Sequence, residues 1–380
     1  MYLVYLNNYH IRQCEAQYLS VMYEILGKNL PVHFILPKEY LKKYALGSRW
    51  EVKWVENHWG KYADVMSRLK FSDYTLMGKP EDLIKEKMAP SEILKFVVNN
   101  PVPTQIETIK EAIQKKRNKI KAGLTWVNNK CFKETLDEFS IPTIFHELGP
   151  FRPPTYIPTA YLDFSGVNGN TEFDNRFKEF LKIVDKVPIL SRKELIRVIS
   201  PEHYNELYKI LENKNRKYDI GVGLQVEVDT NLLLFNKGYS WIDPILAAKA
   251  DSIGKVLVRP HPLAGYTMKP DVRLEIDDLK GNAVSFINKC NKIYCLNSSV
   301  GFEAILLGRE AKIFGDSPFR NVCNMTEDMK LKALNFAVFG YLIHRKLLFN
   351  DNYYDFRLSV RGDEKAIYLD NMKRLLKAVN

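Results

Sequence analysis

The sequence predicts an α/β protein made of two doubly wound, Rossmann-like domains facing each other across a central cleft. Two observations predict it. At 380 residues the chain has room for roughly two domains of ~100–200 residues. Short apolar runs alternate with segments of helical period, and they do so twice along the chain. Hydrophobic residues at 46% and charged residues at 27%, without a Gly, Ser or Gln tract, exclude a disordered scaffold.

In the first third, Tyr2 to Leu6, Val32 to Leu36, Trp50 to Val55 and Leu94 to Val98 read as strands. Ile11 to Leu26, Tyr62 to Leu69 and Thr104 to Ile120 read as helices, the last with Thr104 and Glu107 as a capping-box pair. A polar, helix-rich stretch follows from Glu172 to Arg216. A second βα set then begins, with strands expected at Asp219 to Val228, Lys255 to Val258, Lys292 to Leu296 and Ala311 to Phe314. Its helices are expected around Trp241 to Lys249, Ala283 to Lys289 and Val300 to Leu307. The aromatic stretch Phe336 to Phe356 reads as core, with membrane-interface contact as the second reading. The tail from Asp363 to Val379 reads as a closing helix with Asp363 as its N-cap. The expected domains are 1–185, 186–350 and a closing segment 351–380.

The 56 basic and 45 acidic residues leave a formal charge of +11, which suits an anionic partner without choosing among nucleic acid, membrane and phosphorylated small molecules. A single Lys run such as Lys115 to Lys121 also serves as an ordinary solvated face. Five cysteines, Cys14, Cys131, Cys290, Cys295 and Cys323, are odd in number and none stands in CxxC spacing, so they read as thiols of a reducing compartment. The N-terminal Met1 to Leu6 reads as a strand, not a signal peptide. The longest apolar stretch, near Leu334 to Ile343, is too short for the ~20 residues of a membrane span. A cytoplasmic protein is expected, with peripheral contact at the inner face of the membrane as an option.

In doubly wound sheets, ligands sit beyond the carboxyl ends of the strands, so residues just after each strand are the candidates. Lys292 to Leu296 runs into Asn297-Ser298-Ser299-Val300-Gly301-Phe302-Glu303-Ala304, where two hydroxyls and free N–H groups at a helix start suit a phosphate. The same residues also serve as an ordinary Ser cap. Glu303, one turn further on, can accept ribose hydroxyls or simply be a solvated helix residue. Arg259-Pro260-His261-Pro262 sets a stiffened imidazole after a strand, with Arg259 as a second anion ligand. Gly221-Val-Gly-Leu-Gln225-Val-Glu227-Val-Asp229 ends in an ExD pair, readable as metal ligands, as a nucleophile at Asp229, or as a polar strand end. Ile141-Pro-Thr-Ile-Phe-His146-Glu147-Leu-Gly149-Pro150-Phe-Arg152 offers Glu147 as a general acid or base facing the other domain. His146 points the opposite way and reads as structural.

The RPHP element, the Asn-Ser-Ser-x-Gly-Phe-Glu-Ala element, the Glu-x-Gly turn followed by Asp163-Phe-Ser-Gly166-Val167-Asn168-Gly169, and Leu224-Gln225-Val-Glu-Val-Asp229 together resemble the Kdo transferases of bacterial capsule and O-antigen synthesis. Kdo is 3-deoxy-D-manno-oct-2-ulosonic acid. The likeness spans roughly residues 140–320 in motif order. It implies a GT-B glycosyltransferase that moves Kdo from CMP-β-Kdo to a glycan acceptor, lipid-linked or lipopolysaccharide, with retention of configuration. By that resemblance Asp229 is the nucleophile, Glu147 the acid or base, and His261, Ser298 and Ser299 hold the CMP phosphate. Glu303 takes the ribose, and Asn297, Arg259 and Gln225 complete the nucleotide-binding set. No metal or other cofactor is then required. The chain departs from the family where relatives often carry an acidic pair before the Gly: here His146 precedes Glu147. Two other readings remain open, a sialyltransferase-like or other nucleotide-sugar transferase, including a metal-dependent one using Glu227 and Asp229, and a basic nucleic-acid-binding protein. Against the last stands the lack of any RNP-like aromatic element or zinc-finger spacing.

Overall fold

A computed structural model describes residues 1–7, 15–41, 60–78, 88–116, 119–226, 229–262 and 269–379. The expected strand Trp50 to Val55, the start of the first helix, Cys14 and Glu227 lie outside the described residues. The chain divides into two compact units. The first comprises Met1–Glu147, Leu162–Val167 and Lys346–Ser359; the second comprises Leu148–Tyr161, Asn168–Arg345 and Val360–Asn380.

In the first unit, β1 (Tyr2–Tyr5), β2 (Val32–Pro37), β3 (Tyr74–Met77), β4 (Ala122–Thr125) and β5 (Thr143–Leu148) lie in the order β5-β4-β1-β2-β3, all parallel. Central β1 is buried at every residue, as an apolar run covered on both faces must be. The helix Pro103–Lys116 turns Gln105, Ile109, Ala112 and Ile113 inward. The helix Lys130–Glu138 is capped by Asn129, whose side chain accepts the Phe132 N–H at 2.9 Å. It packs so tightly over Gly123 that a Cβ there would collide with the Leu136 and Phe132 side chains.

Two local expectations are corrected. Leu94 to Val98 is not a strand but part of the helix Pro90–Asn99. Its buried residues Ile93, Leu94, Val97 and Val98 recur at helical spacing, and Glu92 reaches back to the Ala89 N–H at 2.8 Å to close the first turn. Thr104 does not cap its helix. The fixed φ of Pro103 starts the helix one residue earlier, and the Val102 carbonyl receives the N–H groups of Gln105 and Ile106.

In the second unit, the first residues of β6 (Thr159–Asp163) pair antiparallel with Leu342–His344. The main sheet consists of β7 (Tyr218–Gly223), β8 (Val256–Arg259), β9 (Leu274–Ile276), β10 (Cys290–Cys295) and β11 (Glu310–Ile313), parallel and in the order β11-β10-β7-β8-β9; Leu342–His344 is β12. Its core joins Ile220, Val222, Val256, Val258, Tyr294 and Leu296 to helix residues Leu232, Ile245 and Ala248. The closing helix Glu364–Val379 belongs to this unit and starts as expected, with Asp363 Oδ1 accepting the Ala366 N–H at 3.0 Å. Buried Arg176 holds Glu364 through Nε at 2.7 Å and Nη2 at 2.9 Å. Phe336–Tyr341 is a buried π-helical turn, so this part of the aromatic stretch is core. Among the described residues no helix is long and apolar enough to cross a membrane.

Candidate active site

In the second unit the chain runs outward through β7, β8 and β9, then crosses back to lay β10 on the other side of β7. Strand order therefore reverses between β7 and β10, and a crevice for ligands opens beyond their carboxyl ends. Gly223 stands opposite Arg259 of β8 and opposite Cys295 of β10, so the residues after these three strands emerge at one level. Glycine is required at Gly223: a Cβ would meet Val300 Cγ1 at 2.9 Å, and without one the helix Val300–Leu306 settles over the strand end. Gly301 has the same role on the other side of that helix, against Ile313 and the Cys295 thiol. It is a packing glycine within the Asn-Ser-Ser-x-Gly element.

Asn297 organises the crevice. Its backbone N–H donates to Gln225 Oε1 at 3.2 Å, and its Nδ2 donates to the carbonyls of Asn231 at 3.1 Å and Phe235 at 3.4 Å. Asp229 caps the helix Thr230–Phe235 by accepting the Asn231 N–H at 2.8 Å. The buried amide oxygens of Asn231 and Asn297 have no hydrogen-bond partner among the described residues. Buried acceptors normally find donors, and a bound ligand would supply them here.

Ser298 and Ser299 divide their tasks. Ser298 Oγ accepts the Val300 N–H at 3.3 Å, whereas Ser299, at φ −57° and ψ −22°, makes no cap bond. The Ser299 hydroxyl lies toward Glu303, which is 7% exposed. Burial pushes the Glu303 carboxyl up to about 7, and Arg152, Ser299 and Tyr156 pull against that rise. Arg152 is anchored by Nε to the Gly149 carbonyl at 2.9 Å. The buried Tyr156 hydroxyl lies beside the same carboxyl without reaching hydrogen-bond geometry, and burial and Glu303 raise its pKa. Neither Arg152 nor Tyr156 was assigned a role from sequence; their signal was the turn-rich stretch just after the Glu147 strand.

The remaining candidates separate. His261 stands two residues beyond β8, partly buried between its prolines. Arg259 is not presented to an anion: its Nη1 pairs with buried Asp277 and its Nη2 donates to the Gly281 carbonyl at 2.7 Å. The guanidinium is thus anchored by the residues that follow β9. Glu147 lies in the first unit at the end of β5, partly buried. His146 is fully buried there, its Nε2 at 2.8 Å from the Tyr354 hydroxyl, and desolvation lowers its pKa to about 3. Glu227 lies outside the described residues.

Two tandem doubly wound sheets define the GT-B fold class. Two family models match the chain in succession: the Glycosyltransferase 99 family N-terminal domain over residues 4–172, and Capsule polysaccharide biosynthesis protein over 189–337. The resemblance read from the motifs thus holds at the level of family. No curated protein matches the chain. Among solved structures, the β-Kdo 2,7 transferase of Thermosulfurimonas dismutans KpsC is 17% identical with a TM-score of 0.41, covering 66% of this chain and 88% of its own. The β-Kdo 2,4 transferase of the same KpsC is 18% identical with a TM-score of 0.42, covering 63% and 87%. UDP-GlcNAc 2-epimerase from Neisseria meningitidis, bound to UDP-GlcNAc, is 10% identical with a TM-score of 0.29, covering 100% and 99%.

Proposed function

We propose that this capsule-synthesis glycosyltransferase is a retaining β-Kdo transferase that uses CMP-β-Kdo. The observation that carries the reading is the switch point of the sheet: Gln225, Asn297, Ser298 and Ser299 form a polar corner, Asn297 Oδ1 and Asn231 Oδ1 have no partner among the described residues, and the carboxylate of Asp229 opens the neighbouring helix. In the first displacement an Asp229 oxygen bonds to the Kdo anomeric carbon as the bond from that carbon to the phosphate oxygen breaks, and CMP leaves with the electron pair. Ser298, Ser299 and His261 are assigned to the leaving phosphate. Glu303 lines the same corner and is assigned to the ribose. In the second displacement the acceptor hydroxyl attacks the anomeric carbon, its proton passes to Glu147, and the Asp229 carboxylate is released. Two inversions give retention. The acceptor is a glycan, assigned as lipid-linked from the motif resemblance, as is the role of Glu147. No step calls for a metal.

Thermal unfolding with CMP, UDP, GDP or no nucleotide, each with and without EDTA, tests the reading. A ligand at a hundred times its Kd stabilises by ~2.7 kcal/mol. A shift with CMP alone, unaffected by EDTA, is expected. A larger shift with UDP or GDP, or one abolished by EDTA, overturns the CMP-Kdo assignment and returns Asp229 to the metal-ligand reading.

A further inference from the structure

Every strand of the second unit's main sheet begins directly after a basic residue: Lys217 before β7, Lys255 before β8, Arg273 before β9, Lys289 before β10 and Arg309 before β11. In a parallel sheet these starts share one edge, opposite the strand ends that carry Gln225 and Asn297. The same edge presents two bulky aliphatic side chains to solvent, Ile253 at 100% exposure and Val272 at 92%. They are neighbours, because Val256 pairs with Leu274, and Ile253 lies three residues before the one and Val272 two before the other.

Both tips are held in place. The Ile253 N–H donates to Asp219 Oδ2 at 2.9 Å, and Ser252 Oγ donates to the same oxygen at 3.0 Å. The Arg273 N–H closes the Val272 turn onto Asp271 Oδ1 at 2.8 Å. The Arg273 guanidinium then ties the turns together, donating to the carbonyls of Lys249, at 3.3 Å, and of Ser252. Leu246 is exposed on the helix leading to Ile253. Beside the tips, Lys217 and Lys255, at 3.1 and 2.6 Å, share Glu275, Lys249 pairs with Asp271 at 2.5 Å, and Arg273 and Asp219 both hold the Ser252 turn, so four cations meet three acids and the edge keeps a small positive excess.

Fixed aliphatic tips ringed by Lys and Arg match a bilayer interface, where the tips enter the acyl boundary and the cations remain among the headgroups. A second copy of the chain meeting this edge through its own would bring like charges together, whereas the net charge of +11 favours an anionic surface. We propose that this edge docks on an anionic lipid bilayer, with Ile253 and Val272 as the inserting residues. The inference goes beyond the nucleotide reading and does not depend on it.

The test is co-sedimentation of the full chain with phosphatidylcholine vesicles and with vesicles that also contain phosphatidylglycerol, comparing wild type with Ile253→Asp and Val272→Asp, singly and together. Because both side chains face solvent, the variants should keep the wild-type unfolding midpoint and CMP response. Binding to the anionic vesicles is expected, weakened by salt and reduced about tenfold or more for each tip lost. Absence of wild-type binding, or undiminished binding by the double variant, overturns the proposal. So does a wild-type dimer that the double variant dissolves, which would assign the tips to a second copy.

Discussion

Asn297 gives its backbone N–H to the side-chain oxygen of Gln225 at 3.2 Å, joining the loop after β10 to the loop after β7 across the point where strand order reverses. Through Nδ2 the same residue holds two carbonyls of the helix that Asp229 begins. One buried asparagine therefore fixes the helix that Asp229 begins relative to the serine turn. Without that tie each loop would follow its own strand, and a donor held by one would be poorly aligned with the carboxylate on the other.

Asn297→Ala should destabilise the protein by about 1–3 kcal/mol, since it removes two hydrogen bonds from a buried amide, the Phe235 carbonyl keeping the Asp316 N–H. It should also weaken CMP binding. Gln225→Ala removes one half-exposed acceptor and should affect affinity more than stability. Urea unfolding of each variant, set beside its CMP Kd, separates the two effects; equal loss of stability in both would contradict the arrangement.

The helix cap of Asp229 and its proposed role as nucleophile can be separated by substitution. Asparagine caps a helix about as well as aspartate, whereas alanine forfeits the bond to the Asn231 N–H and costs about 1 kcal/mol. Asp229→Asn should therefore unfold like wild type and retain CMP binding, yet lose transfer altogether. Asp229→Ala should lose transfer together with that increment of stability. Measurable turnover in Asp229→Asn would remove it as nucleophile.

The sequence patterns that could be read were those enforced by strong local physics. Buried apolar runs such as Ile293 to Leu296, followed by small polar residues, mark strand ends whatever surrounds them. The Asp363 cap and the order of the motifs were legible for the same reason. Leu94 to Val98 misled because a five-residue apolar cluster fits either period, and the deciding bond from Glu92 to Ala89 lies before it. The ion pair of Arg259 was hidden in another way: a cation after a strand is equally an anion ligand or half of an ion pair, and Asp277 sits 18 residues away on a neighbouring strand end. The company of Glu303 was hidden likewise, since Tyr156 and Arg152 are about 150 residues distant in sequence. The need for Gly223 and Gly301 is equally invisible in the sequence, because the contacts that demand them, Val300 and Ile313, come from other elements or other turns of the chain.

Arg259 yields a prediction opposite to that of an anion ligand. Arg259→Ala leaves buried Asp277 with Lys289 alone, at 2.8 Å, and should lower stability by roughly 3 kcal/mol. CMP affinity measured well below the unfolding transition should stay near wild type. A large loss of affinity in a variant of unchanged stability would return Arg259 to the binding site.

Glu303 should make stability fall as pH rises, the reverse of a salt-bridged carboxylate. Its carboxyl titrates at about 7 in the folded protein against 4.5 as its ordinary value, because burial disfavours the anion more than Arg152, Ser299 and Tyr156 favour it. Between those limits the native state holds a proton that the unfolded chain has released. Stability therefore declines from about pH 4.5 to 7 and is insensitive to this group above that, with about 3 kcal/mol as the upper scale of the effect. Glu303→Gln keeps the shape without the charge, so the difference between wild-type and variant unfolding free energies should shrink to one side across that window and level off beyond it. A bound phosphate adds negative charge at the same corner and would hold the proton more firmly, so CMP binding near pH 7 should take up protons. Calorimetry in buffers of differing ionisation enthalpy reads that uptake directly, and it should vanish in Glu303→Gln. A wild-type protein that instead gains stability from pH 5 to 7 relative to the variant would show that Arg152 outweighs burial and that Glu303 works as a permanent anion.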